Sequence, residues 1–71
     1  NKVNIQVGSV EHPMLPEHYI EWIVVVTDQG YAVKHLNPSD APKAKFALAD
    51  GETLQEVYAF CNIHGLWKAQ A

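Results

Sequence analysis

The sequence predicts an all-β fold, a sandwich or barrel of short strands. Three observations predict it. Apolar and β-branched residues alternate with polar ones in short runs. Each run is closed by Gly, Pro, Asn or Asp at a turn position, and no segment carries a helical pattern that a strand reading cannot also explain.

The first strand is Asn1 to Val7, where Val3, Ile5 and Val7 alternate with Lys2, Asn4 and Gln6 and so share one face. Gly8-Ser9 ends it. In "VEHPMLPEH", Pro13 and Pro16 hold His12 and Leu15 in extended geometry and exclude regular helix, which makes a stiff loop. "HYIEWIVVVT", His18 to Thr27, is β-branched and aromatic and is the central strand, with His18, Ile20, Trp22, Val24 and Val26 on one face. Alternation then predicts His18 at the rim of a core that Trp22 and Val24 continue. Asp28 to Gly30 is a hairpin connection, "YAVKHL" is the returning strand, and "NPSDAP" is a turn. Lys43 to Ala49 follows as a strand with Phe46 and Leu48 inward, closed by Asp50-Gly51. Thr53 to Cys61 fits a helix through Leu54, Val57, Tyr58 and Cys61, and a strand through Val57, Ala59 and Cys61. Its surroundings are strands and turns, so it is read as the fifth strand.

A chain of 71 residues makes one domain. At this size only about 60% of the unfolded surface is buried, and stability calls for an additional tie. A single cysteine excludes an intrachain disulfide, which leaves a metal or a partner. Five Lys, no Arg and eight acids give a net charge of -3 without a basic run, so there is no nucleic-acid footprint. No apolar run approaches bilayer length and no charged leader precedes one, so the chain reads as soluble, and one unpaired cysteine suits a reducing cytoplasm. The first residue is Asn, which is not an ordinary translation start.

Chemistry concentrates in "CNIHGLWK", Cys61 to Lys68. An unpaired cysteine is a packed thiol, a reactive thiol or a metal ligand. Taken singly, Cys61 reads as a small buried hydrophobe, His12 and His18 as loop and rim residues, and His35 as a structural or solvent-facing strand residue. Taken together, a sandwich can bring His12, His18, Cys61 and His64 to one end. Thiolate with imidazole suits zinc, iron or copper. On the residues alone, the packed thiol and the metal ligand both stand.

"VGSVEHPM", "EHYIEWI" and "CNIHGLWK", with "LNPSDAPKAKF" between them, resemble the iron-binding domain of the superoxide reductases, the desulfoferrodoxin and neelaredoxin family, from about Val3 to Lys68. The resemblance implies that residues 1–71 form a single immunoglobulin-like β-sandwich with a mononuclear non-haem iron. It places His12, His18 and His64 as equatorial ligands and Cys61 as the axial thiolate. The implied activity is one-electron reduction of superoxide to hydrogen peroxide, with electrons from a small carrier such as rubredoxin, in a homodimer or tetramer. The amides of Ile63 and His64 are expected to donate to the Cys61 sulfur and tune it. Trp67 is expected either to flank the site or to fill the core.

One part of the family pattern has no match. A fourth equatorial His, with a neighbouring Glu and Lys, lies upstream of the first motif. The chain is therefore expected to be a fragment of a longer protein or a shortened relative, with the edge of the first strand exposed. His35 aligns with the middle of the sandwich and is not expected to replace that ligand, nor Lys68 the missing cation. One Cys with three His also satisfies a closed tetrahedral zinc site, and the alternative is a metal-stabilised sandwich module without redox activity.

Overall fold

The structure, a computed structural model, describes residues 2–8 and 12–70. All regular elements among them are strands: β1 Lys2–Gln6, β2 Ile20–Thr27, β3 Gly30–His35, β4 Lys43–Ala47, β5 Leu54–Cys61 and β6 Gly65–Gln70. The strands form an antiparallel two-stranded sheet, β1-β4, and an antiparallel four-stranded sheet in the order β3-β2-β5-β6. The expected all-β sandwich is what the chain builds.

Its core lies between the sheets. Ile20, Ile23, Val25, Ala59 and Cys61 come from the larger sheet, Ala44 and Phe46 from the smaller, and Leu36 from the loop after β3. Ile5, Val7, Met14, Leu54 and Val57 close its margins. Burial of such side chains, at about 25 cal/mol per Å² of apolar surface, is the main force holding the layers together. The alternation of β1 is realised, with Val3, Ile5 and Val7 half-buried and Lys2, Asn4 and Gln6 exposed. Ser9, Val10 and Glu11, within the first motif, lie outside the described residues.

Three expectations need correction. The core face of β2 is Ile20, Ile23, Val25 and Thr27, all buried, while Trp22, Val24 and Val26 are half-buried on the other side. The cause is a register shift against β5: Ile20 pairs with Cys61 but Trp22 with Phe60, so Glu21 is an extra residue. A β-bulge of this kind reverses the facing of everything beyond it. Trp22 consequently stacks on Phe60, rings 5.5 Å apart and 11° from parallel, on the outer face. In β4 the inward residues are Ala44 and Phe46, whereas Leu48 lies past the strand end and is half-buried. Finally, there is a sixth strand: Gly65–Gln70 turns back along β5.

Thr53 to Cys61 is a strand over Leu54–Cys61, as its surroundings indicated. Among the described residues β1 pairs only with β4, and no other strand of this chain lies along its second edge. A cleft lined by Ile5, Val7, Val57, Ala59 and Trp67 separates that edge from β6.

Candidate metal centre

The end of the sandwich where β2 begins and β5 finishes gathers the chemistry. Cys61 is the last residue of β5, fully buried, with its sulfur in the core. The chain then reverses through Asn62, Ile63 and His64 into Gly65, which has φ +82°. That left-handed backbone suits glycine, and it closes the hairpin four residues after the cysteine, which leaves His64 exposed at the rim.

The other two imidazoles come from the proline-rich loop. Leu15 and His18 exchange both backbone hydrogen bonds, each 2.9 Å, around Pro16-Glu17, so the backbone of His18 is pinned before β2 starts. The Met14 carbonyl accepts from Ser39 N–H at 3.0 Å, and Met14 Sδ lies 3.4 Å from the Ile20 N–H. Two separate contacts therefore seat the residue that follows the His12-Pro13 pair. Ser39 carries φ 80° to reach this position in its turn.

The four side chains named from the sequence meet. One donor atom from each of His12, His18, Cys61 and His64 lies within 4.8 Å of the others. Opposite donors held at about 2.0–2.3 Å from one ion stand at most about 4.6 Å apart and adjacent ones closer, so the four atoms are grouped on the scale of a single cation. The rings stand nearly perpendicular to one another, at 82°, 89° and 85°. Centroid separations are 4.9 Å for His12 and His18, 4.8 Å for His18 and His64, and 6.2 Å for His12 and His64. That triangle is wider at His18 than an equilateral one and falls short of a right angle. Three corners of a square give a right angle there, and three corners of a tetrahedron give an equilateral triangle.

Hydrogen bonding leaves the donors ready for a cation. His12 Nδ1–H donates to the Pro13 carbonyl oxygen at 2.7 Å, which fixes the neutral tautomer and leaves Nε2 with a bare lone pair. His12 Nε2 and His18 Nε2 are both buried atoms without a hydrogen-bond partner. A buried nitrogen left unpaired costs about 1–3 kcal/mol, so two of them side by side, next to a buried thiol, fit an electron-pair acceptor placed between them. The residues present therefore fit the metal that the sequence motifs imply.

The sulfur is approached by side chains. Sγ lies 3.8 Å from His64 Nδ1 and 3.9 Å from Asn62 Oδ1. The expected donation from the Ile63 and His64 amides is not among the contacts found for the described residues. Trp67 is 58% exposed, with its ring 6.4 Å from that of His64, so it flanks the site and does not fill the core. His35 lies exposed on β3 opposite Trp22 and takes no part in the cluster. Lys68 bonds Glu56 at 2.7 Å and sits over the Tyr58 ring, 5.9 Å from its centroid. The Glu56 carboxylate beside it raises its pKa, and its charge is spent on the outer face of the sheet. Asn62 is the residue the sequence reading passed over, since Asn in a turn is an ordinary signal.

The chain is similar to proteins of known type. A sequence model of the family described as Desulfoferrodoxin matches residues 1–70. The desulfoferrodoxin of Clostridium acetobutylicum is 48% identical over 69 residues, covering 97% of this chain and 53% of that protein. The superoxide reductase of Pyrococcus horikoshii is 32% identical over 81 residues, covering 94% of this chain and 70% of that protein. Among solved structures, the superoxide reductase from Treponema pallidum superposes with a TM-score of 0.93 at 45% identity, over 97% of this chain and 56% of that one. The superoxide reductase (1Fe-SOR) from Giardia intestinalis superposes with a TM-score of 0.79 at 29% identity, over 100% and 85%. The chain spans about half the length of the desulfoferrodoxins it matches. No helix among the described residues is long and apolar enough to cross a membrane. With a family match along nearly its whole length and the sandwich of its solved relatives, this chain belongs to the desulfoferrodoxin family.

Proposed function

We propose that this chain carries the iron site of a superoxide reductase, in which the imidazoles of His12, His18 and His64 and the thiolate of Cys61 would hold the metal. The observation that carries the reading is the convergence of three imidazoles, spread wider at His18 than the corners of a tetrahedron, on the buried Cys61 sulfur. A closed zinc staple calls for tetrahedral donors, which that spread does not favour, and the family resemblance points to iron as the ion these residues would hold. Ferrous iron held there would supply the single electron that converts superoxide, with two protons, to hydrogen peroxide.

The chain's own groups define how such a site works. Cys61 sits at the floor, sealed from solvent by the core, so its sulfur stays a ligand and is shielded from oxidants. His12 is held in a single tautomer by Pro13, which presents the correct nitrogen without a proton to displace. His64, exposed at the rim beside Trp67, marks the side from which a small anion enters. Among the described residues no further His, Cys, Asp or Glu joins the cluster. A one-electron carrier such as rubredoxin would restore the ferrous state, and the family resemblance favours a homo-oligomer.

The competing reading is a zinc-stapled sandwich without redox activity, which takes the same four donors. Iron loading under anaerobic conditions followed by controlled oxidation separates the two. A thiolate-to-iron charge-transfer band that is lost in Cys61→Ser, together with superoxide consumption yielding peroxide without oxygen, is the outcome expected here. A colourless protein that takes up stoichiometric zinc and rejects iron contradicts it.

A further inference from the structure

We propose that Asn62 is a positioning residue of the metal centre, clamping the backbone on both sides of His18 and so setting that imidazole against Cys61 and His64. The proposal rests on the reading of those residues as donors to one ion, and adds to it the group that holds two separate segments in register.

The regular ladder between β2 and β5 ends at the Ile20 and Cys61 pair. Beyond it β5 turns away, and the segment carrying His18 would be left without a strand partner. Asn62 takes over. Its backbone N–H donates to the Tyr19 carbonyl at 3.2 Å. Its side-chain Oδ1 accepts from the Tyr19 N–H at 3.0 Å, and its Nδ2 donates to the Glu17 carbonyl at 3.1 Å. A single residue thus satisfies both backbone groups of Tyr19 and the carbonyl of Glu17, the two neighbours of His18. The reverse orientation of the amide would set donor against donor and acceptor against acceptor, so only asparagine chemistry in this orientation meets both demands.

His18 has its own N–H and carbonyl committed to Leu15. With Glu17 and Tyr19 held from the other side, the backbone of His18 has no free polar group through which to drift. The clamp originates one residue after Cys61 and two before the proposed ligand His64. It therefore couples the two halves of the site directly, without passing through the core. A side chain joined by two hydrogen bonds to the segment that carries a ligand acts as outer-sphere partners of metal ligands do, and loss of such partners costs about 10- to 100-fold in metal affinity.

The test is a double-mutant cycle read by cobalt(II) titration, using the thiolate-to-cobalt charge-transfer absorption, on the full chain and its Asn62→Ala, His18→Ala and doubly substituted forms. Asn62→Ala is expected to weaken cobalt binding about 10- to 100-fold while keeping the thiolate band. In the His18→Ala background the same substitution is expected to cost less than about twofold, since the ligand it positions is gone. Asn62→Asp, which keeps the acceptor for Tyr19 N–H and loses the donor to Glu17, is expected to fall between, and takes the place of the alanine form if that form does not fold. An unchanged affinity in both Asn62 variants overturns the proposal, as does an equal loss with and without His18. If His18→Ala itself leaves cobalt affinity unchanged, the four-donor reading fails first, and the clamp fails with it.

Discussion

The sharpest consequence of the cluster concerns stability. At this end of the domain two imidazole nitrogens are buried without a partner next to a buried thiol, and in the metal-free protein that arrangement works against folding by about 1–3 kcal/mol per nitrogen. A cation that binds the folded chain and not the unfolded one contributes RT ln(1 + [M]/Kd), about 2.7 kcal/mol when the metal exceeds Kd a hundredfold. In a domain of 60–100 residues each kcal/mol moves the melting midpoint by about 4–8 °C, so the expected rise at that loading is about 11–22 °C. The assay is thermal denaturation followed by circular dichroism, in EDTA and at increasing anaerobic iron(II) or zinc(II), with His18→Ala and Cys61→Ala as controls. Both controls should lose most of the rise. A midpoint that is the same with chelator and with excess metal, or a rise that survives both substitutions, would refute the assignment of the four donors to one ion.

Two turns should respond in opposite directions to the same physics. Ser39 holds φ 80°, a region that costs a non-glycine residue about 1–2 kcal/mol, so Ser39→Gly should raise stability by roughly 1 kcal/mol in urea denaturation. At Gly65, φ +82°, an added Cβ meets no atom within 4 Å, so Gly65→Ala should cost about 1 kcal/mol through backbone strain alone and also weaken metal binding through His64. Glu52 gives a pH signature. Hydrogen bonds from Thr27 Oγ1 and the Ala49 N–H lower its pKa in the folded state. The unfolded chain then binds the proton more readily, so the contribution of Glu52 is present above the ordinary carboxylate pKa and is lost as pH falls through the depressed folded value. Glu52→Gln should flatten that acid limb in melts recorded across the range, and an unchanged pH profile would count against the bond to Thr27.

What could be read from the amino acids, and what could not, divides along physical lines. The face of β1 was legible because only one of its sides is buried, which makes Val3, Ile5 and Val7 stand out. The facing of β2 was not, because a bulge is a mismatch in count between two strands. Nothing in "YIEWIV" alone shows that β5 offers one residue where β2 offers two. β6 was hidden for another reason. Leu66 shares the outer face with Phe60 while the adjacent Trp67 lies opposite Ala59 on the inner side, so both faces carry apolar groups and no alternation shows. At the site, the four side chains could be named from residue type and motif, since loops and strand ends of a sandwich converge at its ends. The contacts to the sulfur could not, because they depend on the exact path of the turn from Asn62 to Gly65.

X-ray absorption at the iron edge of the loaded protein tests the central claim most directly, since it reads the atoms bound to the metal whatever the activity. The proposed site predicts one sulfur scatterer and at least three imidazole nitrogens around each iron, with the sulfur shell absent in Cys61→Ser. A first shell made only of oxygen and nitrogen in the unsubstituted chain would contradict it.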